Sequence, residues 1–155
     1  MKKLITLLLV LGVTASAFAA VHPNLIEAQN LLAVAVQKID AAERANEFDM
    51  HGWAQKAKGA IGDARHEIQQ ATRAAEGRPT REVGALASVS PEVDVFFKRH
   101  PNLAEAQRYV DEAYRLIGEA QRNNGFDMEG HAQRAKDFLD RANEDIRKAA
   151  ETANR

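Results

Sequence analysis

The chain of 155 residues contains no cysteine. That absence removes disulfides, a thiol nucleophile and a lipid-modified cysteine together, so any fold must hold by packing alone. Aromatic residues make up only 6%, with one Trp and two Tyr, so a core of large rings is excluded. There is no basic surplus: the net charge is -1 and the pI about 6.5, which leaves no electrostatic footprint for nucleic acid. Serine occurs only at Ser16, Ser88 and Ser90, and no glycine-rich phosphate loop follows a strand. Without a nucleophile, base and orienting group in reach of one another, the sequence does not read as an enzyme.

Residues that are plentiful point to helices. Hydrophobic residues reach 45% and charged residues 28%, an ordinary folded composition in which alanine takes an unusual share. The first residues form a separate unit. Met1-Lys2-Lys3 is basic, residues 4–13 are uncharged and almost wholly apolar, and Ala17-Phe18-Ala19 ends a small-residue stretch. This is the pattern of a cleaved secretory signal over residues 1–19, too short to anchor as a spanning helix of about 20 residues. Cleavage after Ala19 leaves Ala20 first; cleavage after Ala20 would set Phe18 at the less suitable third position before the cut. The expected location is the periplasm or the exterior, with no membrane span after cleavage.

The remainder is written twice. Phe48-Asp49-Met50-His51-Gly52-Trp53-Ala54 returns as Phe126-Asp127-Met128-Glu129-Gly130-His131-Ala132, and His22-Pro23-Asn24-Leu25 returns as His100-Pro101-Asn102-Leu103. Such a repeat defines the structural unit. In the first copy apolar residues fall at Leu25, Ala28, Leu32, Ala35, Ile39 and Ala42, then at Ala54, Ala57, Ile61, Ala64, Ile68, Ala71 and Ala75. The second copy has Leu103, Ala106, Val110, Ala113, Ile117 and Ala120, then Ala132, Ala135, Leu139, Ala142, Ile146, Ala149 and Ala153. Steps of three and four are the seam of helices crossing at about 20°. Alternate seam positions are Ala, which lets backbones approach to about 8 Å.

The expected architecture is all-α: two duplicated antiparallel helical hairpins, each closed tightly on its own seam, packed as a four-helix bundle. Residues 20–76 form the first hairpin, 77–99 a connection with a short helix, and 100–155 the second hairpin. Asn24 with Glu27, and Asn102 with Glu105, have capping-box spacing, with Pro23 and Pro101 just outside the helix. Asp49 and Asp127 are expected to cap the second helices, with Phe48 stapled to Trp53 and Phe126 to His131. Lys58 and Lys136 are expected on a solvated flank, His66 on the surface, and His22 and His100 at the helix entries. Ile26, Leu31, Val34, Val36, Tyr109, Tyr114 and Leu116 lie off the seam and would join the hairpins or face a partner chain. Val93, Phe96 and Phe97 read as a plug over one end of the bundle, or as a docking patch.

The segment Phe126-Asp127-Met128-x-Gly130-His131-x-x-Arg134-Ala135, together with the His-Pro start, resembles a group of small secreted bacterial helical-hairpin proteins. In that group a His-Pro helix start precedes a Phe-Gly-Gly-His-like turn. The resemblance implies the hairpin and export, and it implies no reaction; the first copy departs from it with Trp53 in place of His131.

The functional expectation is an exported, non-catalytic binding or structural module of the bacterial envelope, with a protein partner or self-association. A metal-binding role is the first alternative. In an up-down-up-down bundle both turns share an end, which would gather Asp49, His51, Asp127, Glu129 and His131 in a set suited to Zn(II). Cleavage after Ala19 would also begin the chain Ala20-Val21-His22, whose amine, two amides and imidazole suit square-planar Cu(II) or Ni(II). A helical holdase exposing the off-seam apolar faces is the third reading.

Overall fold

A computed structural model describes residues 22–45, 50–76, 97, 99–124 and 128–153. Four helices carry nearly all of them: α1 Pro23–Ala45, α2 Trp53–Ala75, α3 Pro101–Asn124 and α4 His131–Ala153. None of these is long and apolar enough to cross a membrane. The three-four rhythm sets their inner faces. The buried residues of α1 and α2 are the thirteen seam positions of the first copy. In α3 the seam is joined by Leu116, and in α4 Ala150 is buried while Ala153 is half-exposed.

Ion pairs give the direction of each helix. Lys38 of α1 pairs with Glu105 near the start of α3, and Asn24 lies 3.4 Å from Glu119 toward the end of α3. These two helices are therefore antiparallel. Likewise α1 runs antiparallel to α2 through Lys58 with Asp40 and Glu43, and α3 runs antiparallel to α4 through Lys136 with Gln121. Glu67 with His131, and Met50 with Thr152, run α2 against α4. The order is thus up, down, down, up, with α1 diagonal to α4 and α2 diagonal to α3.

Two features depart from the expected architecture. The closest approaches are α1 with α3 and α2 with α4, between the repeats, while each hairpin is looser within itself. The alanine seam joins one repeat to the other through a pseudo-two-fold axis, as an isologous interface does between subunits. The Met50–Gly52 and Met128–Gly130 turns lie at opposite ends of the bundle, because the first packs on the end of α4 and the second on α2. Physically, this order needs one long crossover. Glu76 and Phe97 lie at opposite ends, and the twenty residues between them exceed the reach that the bundle's length, roughly 35 Å, demands.

The helix entries also differ from expectation. Pro23 and Pro101 are the first residues of their helices, where a missing N–H costs nothing. His22 and His100 occupy the cap: the His22 carbonyl accepts from Leu25 N at 3.0 Å, and that of His100 from Ala104 N at 3.0 Å. Asn24 is left free to reach across to α3. Leu31, Val36, Tyr109 and Tyr114 pack on the core, Leu116 is inside it, and Ile26 is 46% exposed. Phe97 is buried in the core cluster. The expected signal, the Phe48 and Phe126 staples, the Asp49 and Asp127 caps and the Val93 and Phe96 patch lie outside the described residues.

Candidate functional site

Each second helix starts from the same left-handed turn. Met50, His51 and Gly52 have φ of 48°, 54° and 75°, and Met128, Glu129 and Gly130 have 50°, 58° and 76°. A left-handed conformation costs a residue with a Cβ about 1–2 kcal/mol, so two such residues in a row need compensation. It comes from the methionines. The turn drops Met50 and Met128 into the core, where they are 2% and 0% exposed. Gly52 and Gly130 then enter the helix at a φ that only glycine adopts freely.

At the Met128–Gly130 end, three side chains converge from both repeats. His131 Nδ1 lies 2.7 Å from Glu67 Oε2, and Arg134 Nε donates to the same oxygen at 3.0 Å. Arg134 Nη2 also sits 2.6 Å from His131 Nδ1 and 3.3 Å from the Glu129 carbonyl. Nδ1 either donates to Glu67 or accepts from Arg134, since one nitrogen holds one role at a time. Burial by itself would raise the Glu67 carboxyl, but hydrogen bonds from His131 and Arg134 and their charges hold it below the usual carboxylate range. A carboxylate beside an imidazole is the beginning of base chemistry. The guanidinium on the same oxygen turns this one into an ionic strap between α2 and α4.

The pseudo-two-fold axis places a different cluster at the other end. Trp53 stands where His131 does, Lys56 where Arg134 does, and Asp145 where Glu67 does. The Lys56 ammonium lies 3.7 Å from the centre of the Trp53 ring and that of Lys148 4.6 Å, a cation–π clasp. Burial raises the Asp145 carboxyl, with Lys148 and Lys56 opposing. One end is an ion cluster and the other an aromatic one. Each ties its turn to the opposite repeat.

The residues singled out by sequence are scattered by this geometry. His51 is exposed at one end of the bundle; Glu129, exposed, and His131, part-buried, are at the other. A zinc site spanning both turns is therefore not assembled, because the turns do not share an end. Among the described residues no three His, Asp or Glu side chains converge as a metal-ligand group. Asp49 and Asp127 lie outside the described residues. His22 is 3% exposed, and neither ring nitrogen has a hydrogen-bond partner among the described residues. Burial lowers its pKa from the ordinary 6.5. His66 is exposed, as its sequence position suggested.

Sequence reasoning missed Glu67 and the use of the lysines. Arg134 follows His131 by three, so their shared face was legible; Glu67 needed the pairing of α2 with α4. Lys58 is not on a solvated flank: it bridges Asp40 at 2.8 Å and Glu43 at 2.7 Å, with only 18% of its side chain exposed. Lys136 likewise turns toward α3, 5.0 Å from the centre of the Tyr114 ring. A groove of about 420 Å3 runs between the start of α1 and the end of α2, lined by Ile26, Gln29, Thr72 and Arg73 among others. No protein-family model, curated protein or solved structure matches this chain.

Proposed function

We propose that the chain is an exported, non-catalytic helical module of the bacterial envelope that works by binding rather than by turnover. One observation carries the reading: Glu67, His131 and Arg134, the side chains best suited to acid-base chemistry, are spent on one another in a strap between repeats. Support for export comes from the leader pattern in residues 1–19. Leu31, Val36, Tyr109 and Tyr114 pack on the core and Ile26 stays 46% exposed, which supports a binding module over a holdase that needs all of the off-seam faces open. Expression of the full chain in a Gram-negative host, followed by osmotic shock, tests the proposal. We expect the protein in the shocked fraction at the mass of a chain beginning at Ala20. Retention in the cytoplasm at full mass would count against it.

A second reading rests on His22. A cut after Ala19 would set a free amine two residues before an imidazole whose nitrogens have no hydrogen-bond partner among the described residues. Amine, two deprotonated amides and imidazole form the planar nitrogen set that Cu(II) and Ni(II) prefer. Binding requires the ring to turn outward from its buried position. One equivalent of Cu(II) should give the visible band of a square-planar complex in the mature protein and none in His22→Ala. A band of equal strength in the variant sinks this reading.

A further inference from the structure

The tightest helix pairs, α1 with α3 and α2 with α4, both cross from one repeat to the other. Each hairpin is thus half of an interface. The polar contacts of that interface cross it too: Lys38 with Glu105, Glu67 with His131 and Arg134, and the Met50 carbonyl with Thr152. A second copy of the chain presents the same surfaces in the same geometry, so every one of these contacts can form between copies without change. Twenty residues separate Glu76 from Phe97, which can reach roughly 70 Å when extended. That suffices for closure along a bundle of roughly 35 Å or for connection to a neighbouring bundle.

We propose that this chain exchanges hairpins with a second copy of itself. Helices α1 and α2 of one copy then bundle with α3 and α4 of the other, and Glu67 of each copy is completed by His131 and Arg134 of its neighbour. The contacts made inside each bundle are the same in both forms, so the choice between them rests on the connection. Covalent tethering gives each hairpin a higher effective concentration near its own partner than a dilute second copy has, so dilute protein closes on itself. Concentrated protein, or a connection too short to span the bundle, exchanges.

Deleting residues 78–92 leaves five residues between Glu76 and Phe97, a reach of roughly 20 Å against roughly 35 Å needed. The shortened chain should be a dimer by light scattering at micromolar concentration, with the helical circular dichroism of the full chain. A helical monomer overturns the proposal. A second measurement decides if the shortened chain does not fold. Full-length Glu67→Lys and full-length His131→Glu/Arg134→Glu are unfolded together, refolded as a concentrated mixture and separated by mass. Each alone meets like charge at the strap, whereas the exchanged heterodimer contains one reversed and one native strap. Heterodimers above the random half of all dimers support exchange. Heterodimers at or below half, or none, overturn it.

Discussion

His22 shows how much chemistry turns on a single buried side chain. Neither ring nitrogen has a hydrogen-bond partner among the described residues, and burial keeps the ring neutral by lowering its pKa. The unfolded chain therefore takes up a proton below pH 6.5 before the folded chain does, and stability falls as pH drops from there. His22→Phe, which fills the site without polar atoms, should leave the thermal midpoint at pH 7 unchanged or higher and flatten that slope. Glu67 acts in a lower window. Its folded pKa lies below the ordinary 4.5, so its contribution is complete above 4.5 and is lost as pH falls through the folded value. Thermal melts of Glu67→Gln should lose that part of the acid dependence and keep the His22 part. The turns offer a third check. Met128→Ala should cost about 2–5 kcal/mol, as an emptied core position does, measured by urea unfolding. His51→Gly should gain up to about 1 kcal/mol, because it relieves a left-handed φ of 54° while leaving the buried Met50 in place.

Between elements, alanine decides which helices lie closest. Small residues at alternate seam positions allow the α2 and α4 backbones to approach, and the intervening Ile and Leu residues fill the layers. Ala64→Leu or Ala142→Leu should push those helices apart and cost on the order of 1–3 kcal/mol, read from the urea midpoint. Asp63→Ala, one residue away and exposed, should be near neutral. Equal midpoints for Ala64→Leu and Asp63→Ala would contradict the close packing. The lysines divide by partner: Lys58 holds α2 to α1, while Lys38 holds α1 to α3. Pairs at the edge of the bundle, still in reach of solvent, contribute little each, so pairing of the repeats rests on the seam more than on charge.

At the scale of the molecule, the repeat pairing means that the connection is not what holds the halves together. A protease site placed within residues 77–96 and cut in the folded protein should leave both fragments in one peak on size exclusion. The cut protein should melt at a concentration-dependent midpoint, since a covalent join has become an association. Fragments that separate at micromolar concentration would show that each hairpin is stabilised mainly within itself.

Helix positions, the turn between them and nearly every buried residue were legible from the repeat and the three-four rhythm, because burial of one helix face is a local periodic property. Two residues close in chain, such as His131 and Arg134, could be placed on one face for the same reason. What the rhythm leaves open is the partner of each face. Leu25 through Ala42 form one seam whether the helix set against it is α2 or α3. Packing of repeat on repeat, which twenty connecting residues are enough to permit, selects α3. From that one choice follow the separation of the turns, the union of Glu67 with His131 and Arg134, and the loss of a zinc site shared by both turns. Met50 and Met128 also became core only in three dimensions, since their burial depends on a left-handed turn that no hydrophobic period encodes.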